Sequence, residues 1–160
     1  MNALVIYDSA YGNTEKVARA MGEAMGSADE VAVVRAADVR PEQLRGLTLL
    51  IVGSPTHKFR PLAPVTSFVK GRPGGALQGV KVAAFDTRIP TSKVEEVRIL
   101  AFFVKIFGYA AKPIADGLTK KGGELVAPPE GFYVGDTEGP LVDGELERAA
   151  DWARKIVAAL

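Results

Sequence analysis

Three short stretches hold the residues able to do chemistry: Ser9-Ala10-Tyr11-Gly12-Asn13-Thr14, Pro55-Thr56-His57-Lys58-Phe59 and Asp86-Thr87-Arg88. The first follows the apolar run Ala3 to Tyr7 and precedes Val17, Ala18, Met21, Ala24 and Met25, which recur at helical spacing. It therefore lies where a strand turns into a helix. A helix start carries N–H groups without partners and a partial positive charge. A phosphate placed there satisfies both. Ser9 and Thr14 add hydroxyls, Gly12 allows close backbone approach, and Asn13 can bond within its own turn. No Lys or Arg lies in the stretch, so anion binding there rests on backbone dipoles and hydroxyls. A plain Ser, Asn or Thr helix cap is the competing reading.

Other chemistries are closed off by composition. The 160 residues include no Cys and one His, His57. This excludes disulfides, thiolate nucleophiles, Cys-ligated metals and multi-histidine metal sites. Neither G-x-x-x-x-G-K-[ST] nor G-x-G-x-x-G occurs, so the ATPase loop and the dinucleotide fingerprint are missing. G-x-S-x-G is missing too, although Ser54 and His57 are near in sequence. Asp136 and Glu138 lie between Gly135 and Gly139, and a pair of carboxylates without further ligands reads as a solvated turn. The formal net charge is +1 with no block of like charge, which argues against a dedicated nucleic-acid binder. No apolar run approaches the ~20 residues that cross a bilayer, and no secretory leader pattern opens the chain. The expectation is a cytoplasmic protein with no nucleic-acid partner and no stable membrane insertion.

The elements that must position these stretches are legible as alternating strands and helices. Candidate strands are Ala3 to Tyr7, Val31 to Arg35, Leu49 to Val52, Val80 to Phe85 and Glu124 to Ala127. The first and third are almost wholly apolar, as in central strands of a parallel sheet covered on both faces. The second is flanked by Asp29, Glu30 and Arg35, which suits an edge. Helices are expected after Asn13-Thr14, over Pro41 to Leu44, Ala63 to Val69 and Tyr109 to Lys121, and at the C-terminus. There Leu146, Ala149, Ala150, Ala153, Ile156, Val157 and Leu160 share a face. The series is that of a doubly wound α/β sheet, with residues 1–160 as one domain.

Ser9-x-x-Gly12-Asn13-Thr14 directly after an N-terminal strand resembles the FMN-phosphate loop of the flavodoxin family. Gly53-Ser54-Pro55-Thr56-His57 is similar to the family's second flavin loop. Gly131 to Gly135 and the closing amphipathic helix are also similar, so the resemblance covers essentially the whole chain. It implies a flavodoxin-like three-layer sandwich: a five-stranded parallel sheet in order 2-1-3-4-5, helices on both faces, and FMN at the switch point between strands one and three. It also implies a cofactor site built from Ser9, Ala10, Tyr11, Gly12, Asn13, Thr14, Pro55, Thr56, His57, Lys58, Phe59, Asp86, Thr87 and Arg88.

Two departures from the family pattern concern the flavin ring. The third loop reads Phe85-Asp86-Thr87-Arg88-Ile89-Pro90 and lacks the stacking Tyr, which leaves one ring face open unless Phe102, Phe103 or Phe107 reaches back. His57 is either an imidazole against the ring or a surface histidine. The family is acidic around the flavin, whereas here Lys58, Arg60 and Arg88 face only Asp86. One free cation ~6 Å from the reduced ring would stabilise it by roughly 2–3 kcal/mol at an effective dielectric near ~20. A less negative potential is the expectation.

The implied function is an FMN-binding electron carrier with a redox partner protein or a small-molecule donor or acceptor. Two alternatives stand beside it: an FMN-dependent NAD(P)H:quinone-type reductase and a cofactor-less interaction module of the same fold. A response-regulator receiver is disfavoured because the third strand ends Val52-Gly53-Ser54, without the acceptor Asp. Residues 88–107 exceed the minimal pattern. Ser92-x-x-Glu95 resembles a capping box, Ile99 to Val104 is apolar on nearly every side, and Gly108 would stop a helix. A core helix, a cofactor lid, a docking surface and a homodimer contact through 94–107 all fit this segment.

Overall fold

The middle of the sheet is set by strands with no polar face. All residues of β1 (Ala3–Tyr7) are buried, as are the first six of β3 (Leu49–Pro55). In the computed structural model, which describes residues 1–90 and 108–160, β1 pairs in parallel with β2 (Val31–Arg35) on one side and β3 on the other. β3 then pairs with β4 (Lys81–Arg88). The order is β2-β1-β3-β4-β5, as expected, with the charged and partly exposed β2 at the edge.

Side chains alternate across this sheet with the strand period of two. Val5, Tyr7, Ile51, Ala83 and Phe85 face α1 (Asn13–Met25) and the C-terminal helix α4 (Glu145–Ala158). Leu4, Ile6, Leu50, Val52, Val82 and Ala84 face α2 (Ala63–Lys70) and α3 (Ala111–Lys120). Two short 3-10 turns, Ala36–Asp38 and Pro41–Leu44, lead from β2 to β3. Among the described residues no helix is long and apolar enough to cross a membrane.

The expected single fifth strand is two strands. β5 (Glu124–Leu125) pairs with Lys81 and Val82, and β6 (Glu130–Tyr133) continues beside Phe85 to Arg88. Among the described residues the sheet thus has six strands rather than five. Pro128 and Pro129 account for the break. Neither has an N–H to donate to β4, and the ladder lapses after the Val126 N–H to Val82 carbonyl bond. β3 and β4 also run past their expected ends to Pro55 and Arg88, and that extension lifts the second and third chemical stretches to the sheet's C-terminal edge. The capping box at Ser92 and Glu95, the run Ile99 to Val104, the candidate ring covers Phe102, Phe103 and Phe107, and the proposed dimer segment 94–107 lie outside the described residues.

One contact fixes the spacing of β3 and β4 next to the site. The Phe85 ring lies over Gly53, so close that a Cβ on Gly53 would overlap it. Phe85 then meets Phe132 edge-on at 6.1 Å, and Phe132 meets Trp152 at 6.0 Å. This T-shaped series ties the sheet to α4. Gly53→Ala should destabilise the fold by about 2 kcal/mol through overpacking. In urea melts, Phe85→Leu should relieve part of that loss, with a coupling of about 1 kcal/mol in the double-mutant cycle. Strict additivity would contradict the contact.

Candidate functional site

The C-terminal ends of β1, β3 and β4 bring the three stretches together around a cleft of about 440 Å³. That is the size of a small-molecule or cofactor site. Twelve of the fourteen residues expected from the sequence line it: Ser9, Ala10, Tyr11, Asn13 and Thr14; Pro55, Thr56, His57, Lys58 and Phe59; Thr87 and Arg88. Gly12 and Asp86 are not in the lining. Gly12 shapes the first loop, and Asp86 is fully buried behind Arg88. Ile89, Tyr109, Val134 and Thr137 also line the cleft, and sequence reasoning missed them.

The first loop turns at Gly12, whose φ of 90° places it in the left-handed region. No side chain caps the helix that follows, so the plain-cap reading is not realised. The Ser9 hydroxyl accepts the Gly12 N–H at 2.9 Å, outside the helix. The first N–H to find a helical partner is that of Lys16, which donates to the Gly12 carbonyl. The N–H groups of Asn13, Thr14 and Glu15 have no partner among the described residues. Asn13 and Thr14 are nevertheless buried. Buried N–H groups are nearly always satisfied, and Asn13 and Thr14 line the cleft, so these donors are available to an anion held in it.

The loop is braced from three directions. Thr14 and Thr87 share a buried hydroxyl–hydroxyl bond of 2.7 Å, tying the helix start to the end of β4. Asn13 Nδ2 donates to the Glu138 carbonyl at 3.1 Å, which draws in the segment carrying Thr137. Arg35, at the edge strand, donates to Asp8 Oδ1 at 2.6 Å and to the Ser9 carbonyl at 3.3 Å. A cation thus stands at the base of the loop, although none lies within it.

The second loop is a tight reversal. His57 and Arg60 exchange backbone hydrogen bonds of 2.8 and 3.0 Å. Lys58 and Phe59 between them have φ of 48° and 66°. Two successive positive values match a type I′ turn, which favours Asn and Gly. Lys and Phe hold it under strain, a pattern that concentrates at functional sites. The turn presents His57 and Lys58 to solvent at the mouth of the cleft and half-buries Phe59. Arg60 does not line this cleft; it belongs to an adjoining groove.

Arg88 is not the free cation the sequence suggests. Its Nε and terminal nitrogen donate to the two Asp86 carboxylate oxygens at 2.6 and 2.7 Å, and its guanidinium lies 3.9 Å from the centre of the Tyr109 ring. Residues two apart on a strand share a face, which is how the pair forms. Burial pushes the Asp86 carboxyl above its ordinary value, outweighing the opposite pull of Arg88 and of the Ala111 N–H that donates to it at 2.9 Å. Of the three cations expected around a flavin, Lys58 alone lines the cleft without an ion pair among the described residues. Being exposed, it acts through solvent screening, so the expected shift in potential is smaller than three free charges imply.

The far wall, with Val134 and Thr137, is held by α4. Glu145 accepts the Tyr133 N–H at 2.7 Å and two bonds from Arg148. Burial alone would raise the Glu145 carboxyl, but these bonds and the Arg148 charge win and lower it. Arg148 also donates to the Gly131 carbonyl and pairs with Glu130.

The donor set suits a flavin phosphate. It offers unpaired N–H groups and hydroxyls at one end, and a mostly apolar wall with Phe59 and Tyr109 at the other. The flavodoxin family model matches residues 5–148. No curated protein matches the chain. Among solved structures, a flavodoxin from the domain Archaea aligns with a TM-score of 0.73 at 24% identity, covering 99% of this chain and 97% of that one. Flavodoxin 1 from Bacillus cereus aligns with a TM-score of 0.74 at 19% identity, covering 99% and 98%. The rubredoxin oxygen:oxidoreductase of Desulfovibrio gigas aligns with a TM-score of 0.70 at 23% identity, over 99% of this chain but 36% of that one. At these identities the alignments speak for the fold.

Removing Arg88 would leave the Asp86 carboxylate buried with one N–H. A carboxyl whose folded pKa is raised favours folding on the acid side, and that contribution is lost as pH climbs from the ordinary 3.8 through the folded value. In Arg88→Met the folded value rises further. This variant should lose about 3 kcal/mol or more near neutral pH and recover part of it on acidification. Asp86→Asn/Arg88→Met should not show that recovery. Urea melts at about pH 5 and about pH 7.5 check this; an equal deficit of Arg88→Met at both would refute the pairing.

Proposed function

The chain belongs to the flavodoxin family, matched over residues 5–148, and on that premise we propose that it carries electrons on an FMN bound in the cleft. The observation that carries the reading is the uncapped start of α1, where buried N–H groups await an anion. Asn13, Thr14 and Glu15 supply backbone donors for the phosphate. Ser9, Thr14 and Thr87 supply hydroxyls; one of Thr14 and Thr87 donates to the other, which leaves the acceptor's proton free to donate. Pro55, Thr56, His57, Phe59 and Tyr109 are available to the ring. Bound there, FMN supplies the capacity to take up and release electrons, while the protein supplies position, dryness and charge. Residues 1–160 act as one such domain, working in the cytoplasm with a redox protein or a small-molecule donor or acceptor.

The test is a titration of the purified protein with FMN and with riboflavin, followed by flavin fluorescence and thermal shift. FMN should bind and raise Tm by mass action, and riboflavin, lacking the phosphate, should bind at least ~100-fold more weakly. Thr14→Val should weaken FMN by about tenfold, the worth of one hydrogen bond to a charged group, and leave riboflavin unchanged. A protein that stays colourless with FMN would instead be a cofactor-less module of the same fold. Direct bleaching by NAD(P)H would favour the reductase.

A further inference from the structure

The cleft mouth continues into a groove of about 880 Å³ between α2 and α3, and Phe59 lines both. The groove floor is apolar, with Pro61, Val65, Val69, Pro113 and Ile114. Its charge is one-sided. Arg60, Lys70, Lys120 and Lys121 line it, and Lys58 stands beside them at the cleft mouth. None of these five has an ion-pair partner among the described residues. Among the described residues the groove's one carboxylate, Asp116, is paired with Lys112 at 3.0 Å. The Lys121 ammonium donates to the Lys70 carbonyl at 3.3 Å, so the basic ends of α2 and α3 are held together. On the other side of the sheet, α4 exposes both signs of charge, Glu147 and Asp151 together with Arg154 and Lys155. The unpaired cations of this face thus run from the cleft mouth, at Lys58 and the adjoining Arg60, along the groove to the C-terminal ends of α2 and α3, at Lys70, Lys120 and Lys121.

From this we infer that the face running from Lys58 to Lys121 is the docking surface for an acidic electron-transfer protein. The inference deepens the FMN reading and rests on it. Cations around an opening steer anionic surfaces toward it and fix their orientation on encounter. Pro61 and Pro113, accessible apolar residues of the groove, supply contact area once water is displaced. The strained turn at Lys58 and Phe59 is closed by the His57–Arg60 bonds, which holds Lys58 at the cleft mouth. Continuity with the cleft ties this face to electron exchange rather than to a nucleic acid.

The test uses holoprotein whose FMN content is first read from its visible spectrum. Absence of FMN uptake refutes the carrier reading and the inference with it, whereas uptake with the wrong salt response refutes the inference alone. Photoreduced holoprotein is mixed in stopped flow with hexacyanoferrate(III) or hexaammineruthenium(III) at about 20 and about 300 mM NaCl, which spans weak and strong screening. One electron passes from the reduced flavin to the metal complex in each event. The hexacyanoferrate rate should fall about tenfold with salt and the ruthenium rate should rise. Lys58→Glu/Arg60→Glu should reverse both trends, Lys120→Glu/Lys121→Glu should weaken them, and Glu147→Gln should preserve them. In calorimetry without flavin, poly-L-glutamate should bind and poly-L-lysine should not, with binding lost in Lys58→Glu/Arg60→Glu. Salt responses of the opposite sign, or poly-L-glutamate binding indifferent to the charge reversals, would overturn the inference. So would a duplex DNA that binds these residues while leaving the hexacyanoferrate rate unchanged.

Discussion

Three N–H groups at the start of α1 have no partner among the described residues, and much of the neighbouring structure serves to keep them so. Gly12 turns the chain in a conformation that leaves no side chain able to cap the helix. Ser9 spends its acceptor on Gly12, outside the helix. Thr87, Glu138 and Arg35 hold the loop from the β4, β6 and β2 sides. A buried amide left open is costly, and under the proposed function the phosphate of FMN would relieve that cost.

The sheet makes this arrangement possible. Parallel pairing puts every strand's C-terminal end on the same edge, and the order 2-1-3-4-5 opens a crevice between β1 and β3. Gly53 and Phe85 set how closely β3 and β4 approach just before their loops diverge. The ring series through Phe132 to Trp152 carries that spacing into α4, and Glu145 on the same helix holds the Val134 and Thr137 wall. Positioning of the cleft therefore depends on a core contact and a carboxylate, neither of which lines it.

Much of this was legible from local pattern. Apolar runs marked β1 and β3, and the strand-to-helix position of Ser9 to Thr14 marked the loop that the cleft is built on. What escaped was mostly long-range. Tyr109, Val134 and Thr137 reach the cleft only because α3 and the β6–α4 connection fold back onto it. β6 was hidden by its brevity and by the two prolines before it. The Arg88–Asp86 pair is different, since a spacing of two on a strand already places both on one face. The signal was present, but the charge was read as free because burial could not be seen.

Pro128 and Pro129 also bear on how the molecule keeps to itself. A long, regular outer strand offers a row of open hydrogen-bonding groups to any other chain in extended form. Here that border consists of runs of two and four residues with a donor-less joint between them. A second strand adding along this border would find no donor at Pro128 or Pro129, so this side of the sheet is a poorer template for pairing than β2 at the opposite edge.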